Sequence, residues 1–386
     1  IEPAPPLEPI QPRERVARRR RLGELLGAAG VDAWRCEAGP TMTYLAGVEW
    51  GRSERLFALV GRAVGSHCWG GAACEAERAR LRLDASLDAA HPGGEIVAWD
   101  EHEYAWAPLG AALRQRRVER VAVDPQARLF IASGLASQLG AERVVDGRAL
   151  LVELRGRKDA HELALLRRAN ESTQRAIVAV SELVEPGMTG ADVARTMGRA
   201  HRHLGMSGPG CLALVGPDAA YPHGQELGRS LERGEMLLVD TGAQYLDYCS
   251  DNTRTWCVAG KPGAAQLRAW NAVRDAQLRA FEAIRPGVAA REVDAVARRS
   301  IEAAGYPGGY EVFSHRLGHG IGLEGHEDPY FDGGSEVVLR SGMTLSNEPG
   351  IYLPGRFGVR IEDIVTVTEE GADHFGSWQR APDSPA

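Results

Sequence analysis

Lysine is nearly absent from this chain of 386 residues: Lys158 and Lys261 are the only two among 45 cationic residues. The arginine excess reads as GC-rich coding and carries no functional meaning. Positive charge is in any case outweighed. The formal net charge is −7, which gives no global attraction to nucleic acid or to an anionic membrane surface. Long hydrophobic runs are also missing. Nothing approaches the ~20 apolar residues of a membrane-spanning helix, and no signal-peptide pattern opens the sequence. The chain starts at Ile1 rather than at methionine, which leaves room for a removed segment. Cysteine is sparse: Cys36, Cys68, Cys74, Cys211, Cys249 and Cys257 match no zinc or redox spacing and are too few for a disulfide scaffold. Reduced thiols in a cytoplasmic protein are the expectation.

The length suits two or three domains. Residues 1–12 hold five prolines and are expected to form a flexible arm. A helix is predicted over 13–29, with the run Arg18-Arg19-Arg20-Arg21 on a solvated face. Short strand-like runs such as Phe57–Val60 and Val121–Val123 alternate with helical stretches near 73–84, 107–116 and 134–140, an α/β pattern. A boundary is expected near Gly156–Asp159. Beyond it, Leu166, Ala169, Thr173, Ala176, Val180 and Leu183 form one stripe of a long helix that Pro186-Gly187 stops. Thr189 with Asp192 reads as a capping pair for the next helix.

An internal repeat follows. Pro186-Gly187 recurs as Pro286-Gly287, Val193 as Val293 and Gly205 as Gly305, all at an offset of 100. Farther on, Gly234–Asp240 parallels Gly342–Glu348 at an offset of 108. Several matches in order argue for a duplicated helix–helix–hairpin unit.

The repeat brings carboxylates into corresponding places. Asp240 is expected to end an apolar strand. Asp251 follows on a second strand, beyond a hairpin through Gly242 and Tyr245-Leu246-Asp247. Glu348 is likewise expected to end a strand, and Glu362 to lie within one strand spanning Gly358–Ile364. A pseudo-twofold duplication points all four at one centre. Four buried ionised carboxylates repel strongly, and bound cations or protons must offset them. Two divalent metals bridged by carboxylates are the usual solution. Oxygen-rich ligation with one imidazole, from His319 in Gly318–Gly322, suits manganese, cobalt, iron or zinc. Any one of these acids alone would be an ordinary hairpin residue; the set of five is not.

Asp240, Asp251, His319, Glu348 in Asn347-Glu348-Pro349-Gly350, and Glu362 in Val359–Asp363 together resemble the five-ligand site of the pita-bread metallopeptidases, the family of methionine aminopeptidase, aminopeptidase P, prolidase and creatinase. The resemblance implies an α/β (α+β) chain: a creatinase-type N-terminal domain over 13–153, then a pita-bread catalytic domain with internal duplication over 154–386. It further implies two divalent metal ions per subunit, manganese first with zinc or cobalt as alternatives, and Glu348 as general base.

His223, His315 and His326 narrow the resemblance to the proline-specific branch, where the matching histidines contact substrate and act in catalysis. Arg360 resembles the family's arginine that orients a metal carboxylate, and Tyr352 is a second supporting candidate. The implied reaction is hydrolysis of Xaa-Pro bonds, as a dipeptidase (prolidase) or alternatively as an aminopeptidase P on longer peptides. A dipeptidase must hold a free carboxylate, usually with an arginine. Many prolidases carry one where this chain has Tyr330; Arg316 and Arg356 are the alternatives, and Arg356 is taken for the role. Partners implied are small Xaa-Pro peptides and a second copy in a homodimer, with no nucleic acid and no membrane. Two rivals on the same fold fare worse. A metal-dependent lyase needs an acid where Gly242 stands, and a non-catalytic binding module would have lost ligands.

Overall fold

A computed structural model of the chain describes residues 1–63, 67–86, 94–225 and 228–386. Contacts group these residues into two units: Glu8–Arg155, and Gly156–Ala386 joined by Ile1–Leu7. Among the described residues, no helix is long and apolar enough to cross a membrane.

In the first unit the alternation of short strands and helices builds a six-stranded mixed sheet. Its order is Glu95–Trp99, His67–Ala72, Ala58–Arg62, Ala33–Glu37, Val121–Val123, Val144–Asp146. Ala33–Glu37 pairs antiparallel with one neighbour and parallel with the other and is buried along its whole length, as a strand covered on both faces must be. The arginine run departs from expectation. It lies on the helix Pro12–Ala28, but three of its four members are turned to structural use. Arg18 is buried with its guanidinium 4.1 Å from the Tyr44 ring centre, and donates to Tyr44 O at 3.3 Å. Arg19 donates to Leu45 O at 2.6 Å and Arg21 to Glu153 O at 2.7 Å. Tyr44 and Leu45 end the helix Pro40–Ala46, whose last carbonyls have no partner within the helix. The arginines satisfy them. Arg20, exposed and paired with Glu24, keeps the solvated role expected of all four.

The second unit opens on the helix Ala160–Ser181. Asp159 caps it, accepting from the His161 and Glu162 N–H groups at 2.9 Å each, while Glu162 reaches back to the Asp159 N–H. Ala169, Thr173, Ala176 and Val180 face the core as their spacing predicts. Leu183 does not: the helix ends two residues earlier, and this side chain is 59% exposed. Thr189 and Asp192 form the expected capping box of the helix Gly190–His203. Residues Ile1–Leu7 lie along this unit, with the Leu7 N–H donating to Tyr245 Oη at 2.9 Å.

The repeat is visible in the backbone. Helices Ala160–Ser181 and Gly190–His203 correspond to Ala264–Ala283 and Ala290–Ala303. The Gly187 N–H donates to Leu231 O at 2.7 Å, and the Gly287 N–H to Leu339 O at 2.9 Å. The Leu231 and Leu339 N–H groups return to Met188 O and Val288 O at 2.7 and 2.8 Å. These bonds tie each half's helices to the strand that carries its first acid. The sheet of the first half runs Asn252–Cys257, Met236–Tyr245, Ser207–Val215. That of the second runs Glu327–Phe331, Gly318–Gly320, Thr344–Asn347, Asp363–Val367, Ala372–His374.

Two strand expectations change. Asp240 lies in mid-strand, because the strand continues past the apolar run to Tyr245 before turning at Leu246 and Asp247. Both turn residues have positive φ, 47° and 72°, as a two-residue hairpin demands. The single strand expected over Gly358–Ile364 is two. Phe357–Arg360 pairs with Gly350–Leu353, and Asp363–Val367 pairs with Thr344–Asn347. The chain changes sheets at Ile361-Glu362. There the Glu362 N–H leaves both ladders and donates to Thr253 O at 3.0 Å.

Gly187 and Gly287 have φ of +98° and +89°, and a Cβ added at either would meet open space. Gly187→Ala and Gly287→Ala should therefore act through backbone strain alone, each destabilising by about 1–2 kcal/mol. Urea denaturation midpoints measure this, and a cost at only one position would contradict the equivalence of the halves.

Candidate metal centre

Asp251, expected on a strand, stands one residue before the strand Asn252–Cys257, within which Thr253 pairs across with Asp240. Glu348 stands one residue past the strand Thr344–Asn347, two beyond Ser346. The duplication then faces these pairs toward each other. Ligand atoms of Asp240, Asp251 and Glu362 lie within 4.8 Å of one another; so do those of His319, Glu348 and Glu362, and those of Asp251, His319 and His326. Thus the five expected ligand residues converge, and His326 joins them, its ring 3.8 Å from that of His319.

Glu348, Glu362 and Asp251 are held by partners that the sequence reading did not single out. Ser346 Oγ donates to Glu348 Oε1 at 3.0 Å and accepts the His319 N–H at 2.9 Å, so one hydroxyl sets two site residues. Thr253 Oγ1 donates to Glu362 Oε2 at 2.7 Å. Asn170, on the first helix of the unit, accepts the Asp251 N–H at 3.1 Å. Behind Glu362, Arg254 donates to the Glu362 carbonyl at 2.7 Å and to Asp363 Oδ1 at 2.6 Å, both fully buried. Thr253 and Ser346 were legible from their i,i+2 spacing to Asp251 and Glu348; Asn170 and Arg254 carried no local signal.

Arg360 is the hub. It donates to Asp240 Oδ2 at 2.6 Å, Tyr352 Oη at 2.8 Å, Pro222 O at 3.1 Å and Thr253 Oγ1 at 3.2 Å. Tyr352 Oη also lies 2.7 Å from His315 Nε2, while His315 Nδ1 faces the Arg316 carbonyl at 2.8 Å. A carbonyl only accepts, so Nδ1 carries the proton and Nε2 accepts from Tyr352. His223 is exposed, and a charge on it opposes protonation of both His315 and His326. Arg316, exposed, lies with its guanidinium 4.3 Å from the Tyr330 ring centre. Its charge depresses the basicity of His319 and His326 and lowers the Glu348 carboxyl. Arg356 sits at the exposed turn of the hairpin Gly350–Arg360, beside Phe357.

The electrostatics are those of a cation site. Burial, reinforced by Glu362, Asp240 and Glu348, raises the Asp251 carboxyl well above the carboxylate range. Burial raises Glu362 likewise, with Glu348 and Asp240 adding to it. Glu348 is pushed up to about 7 by burial, with Arg360 opposing and Asp240 adding. Burial and the neighbouring His326 hold His319 down to about 3. Its Nδ1 donates to Gly320 O at 3.1 Å, which leaves Nε2 as a lone pair 3.3 Å from Glu348 Oε1. Glu362 Oε1 is buried and has no hydrogen-bond partner among the described residues. An orphaned carboxylate oxygen, a bare imidazole nitrogen and three further acids fit an oxygen-preferring divalent cation. Beside Asp240 and Asp251 a recess of about 270 Å³ opens between Gly208, Gly210, Gly242 and Gly325, with Gln244 on its wall. A larger cavity of about 840 Å³, by the helix Ala160–Ser181 and the C-terminal residues, is lined by none of the candidate ligands.

The family model "Metallopeptidase family M24" matches residues 164–369, and "Creatinase/Prolidase N-terminal domain" matches 18–156. The chain is 38% identical over 362 residues to the probable dipeptidase PepE of Mycobacterium tuberculosis, covering 92% of this chain and 93% of that protein. It is 39% identical over 233 residues to the Xaa-Pro dipeptidase of Pyrococcus furiosus, covering 60% and 66%. The crystal structure of dipeptidase PepE from Mycobacterium ulcerans superposes with a TM-score of 0.88 at 33% identity, covering 98% of this chain and 99% of that one.

A raised carboxyl binds its proton more tightly folded than unfolded. Without metal, the contribution of Glu348 to stability is therefore full below about pH 4, and is lost as pH rises through about 7. The thermal midpoint of the metal-free protein, measured against Glu348→Gln, should fall between about pH 5 and 8. A divalent cation should remove the fall. A difference independent of pH would contradict the raised carboxyl.

Proposed function

Because the chain belongs to metallopeptidase family M24, has the pita-bread fold and is a metal-dependent peptidase, we propose that it hydrolyses Xaa-Pro dipeptides at the centre formed by Asp240, Asp251, His319, Glu348 and Glu362. These five residues hold two divalent ions, with manganese the first to test and zinc or cobalt the alternatives. The observation that carries this reading is the convergence of four mutually repelling acids and a bare imidazole nitrogen, with Glu362 Oε1 left unpartnered. Bound there, the metal supplies Lewis-acid polarisation of the scissile carbonyl and a water acidic enough to attack near neutral pH.

The protein's own groups do the rest. Glu348, steadied by Ser346, is the general base and carries the proton to the proline nitrogen as it leaves. A Xaa-Pro bond has no N–H for a protease to grip, so orientation must come from the ends of the substrate. The acidic side of the centre, at Asp240 and Asp251, takes the free ammonium, and the recess beside it accommodates the first side chain. The rest of the site carries His223, His315, His326 and Arg316, with His326 reaching back to Asp251. His326 and His223 donate to the oxygen that gains charge. His315, locked between Tyr352 and the Arg316 carbonyl, sets the shape of that wall. Arg360 keeps Asp240 in its ligating orientation.

Dipeptide specificity is supported by the relatives named as dipeptidases and by Arg316, which we prefer to Arg356 as receptor of the proline carboxylate. Stacking on Tyr330 holds its guanidinium beside the site, at the position where many prolidases carry an arginine of their own. The resemblance to prolidases also supports a homodimer.

Arg316→Gln should lower kcat/KM for Ala-Pro roughly tenfold to a hundredfold, the worth of one charge-assisted hydrogen bond. Ala-Pro-amide, which has no carboxylate, should change less than about twofold. Equal losses on both would remove Arg316 from the role, and faster hydrolysis of Ala-Pro-Ala than of Ala-Pro by the parent would favour the aminopeptidase reading. Asp251→Ala should abolish activity and reduce bound metal in elemental analysis; normal turnover with normal metal content would refute the ligand set.

A further inference from the structure

Lys158 is one of two lysines in a chain that otherwise uses arginine, and its side chain is 1% exposed. Its Nζ donates at 2.7 Å to Oε1 of Glu327, a carboxylate only 7% exposed. Burying such a pair strips both ions of water, and apolar residues of similar volume often stabilise a fold as well or better. The best-attested use of a buried ion pair is to fix a register.

Register is what this place needs. The strand Glu327–Phe331 pairs with Gly318–Gly320 through His319 and Tyr330, then jumps to Gly320 against Glu327. His326 precedes the strand and gains no support from the ladder, yet its ring must stay against that of His319. Glu327 is the adjacent residue. Its carboxylate is enclosed on one side by Gly322, where a Cβ would approach Oε1 to 2.5 Å, and engaged by Lys158. Lys158 is itself fixed: its N–H donates to Gly342 O at 2.8 Å, and Arg157 bridges to Met343. Those residues lead into the strand that presents Ser346 and Glu348. One ammonium thus ties the His326 segment to the segment carrying the general base.

We propose that Lys158 is a positioning residue for catalysis, holding His326 in place through Glu327. A compact ammonium suits the enclosed carboxylate; the planar fork of arginine would push the strand outward. The inference rests on the proposed role of His326 toward the developing charge. It therefore affects the transition state rather than ground-state binding.

The test compares the zinc-loaded parent with Lys158→Met/Glu327→Met, which removes both charges, and with Lys158→Arg, which keeps the pair. Each variant should retain the parent's metal content and a thermal midpoint within a few degrees. Each should lose about tenfold or more in kcat on Ala-Pro, with KM within about twofold. The His326 ring signals, identified by their loss in His326→Gln, should shift in a long-range proton–nitrogen spectrum. Parent-like kcat in either variant, or unmoved His326 signals, overturns the proposal. The spectrum reads ring position without turnover. A parent inactive on Ala-Pro would therefore count against the dipeptidase reading alone, while shifted His326 signals would support the positioning role and unmoved ones overturn it.

Discussion

Four carboxylates within reach of one another in a water-poor centre cannot all carry charge unless a cation sits among them, and the second unit is organised around that constraint. Burial, with mutual repulsion among the acids, raises the Asp251, Glu348 and Glu362 carboxyls and favours their protonated forms. A protonated carboxyl turns to whatever acceptor is near, so the fold must fix each acid by other means. Ser346, Thr253, Asn170 and Arg360 do so with one or two directed hydrogen bonds apiece. These bonds leave oxygens such as Glu362 Oε1 free. A rigid cluster of acids with unspent lone pairs is a strained arrangement for a protein alone and a favourable one for a protein that binds metal.

The duplication explains how such a cluster arises from few elements. Each half contributes two helices, which press a short sheet inward, and a strand that delivers one acid. The equivalent backbone bonds at Gly187 and Gly287 keep that geometry the same in both halves. The halves differ where the chemistry differs. The first half turns tightly at Leu246-Asp247 and returns Asp251 just ahead of the neighbouring strand Asn252–Cys257. The second inserts the hairpin Gly350–Arg360, which brings Tyr352 and Arg360 beneath the centre before Glu362 is reached.

Much of this was legible in the sequence, for a physical reason. Acids placed in apolar strands conflict with burial, and such conflicts mark sites; the parallel of Gly234–Asp240 with Gly342–Glu348 pointed to a common centre. What escaped was set by partners distant in sequence. The arginines 18–21 read as solvated because nothing nearby reveals that one helix end with unpaired carbonyls would dock against Arg18 and Arg19, and the end of another against Arg21. The apolar alternation through Gly358–Ile364 reads as one strand because the sheet change at Ile361-Glu362 interrupts pairing without interrupting the pattern. The stacking of Arg316 on Tyr330 joins residues with no periodic relation at all.

The halves also orient each other's acids. Arg360, from the second half, grips Asp240 of the first; Thr253, from the first, grips Glu362 of the second and takes the Glu362 N–H on its own carbonyl. Neither half therefore holds a finished set of ligands by itself. Metal affinity becomes a report on whether both halves have folded and met, so an ion captured at full strength certifies a completed chain. The same bracing ties the halves together in evolution: a change to one is felt first in the ligands of the other, and a chimera that exchanges a single half inherits acids whose supports belong to a different partner.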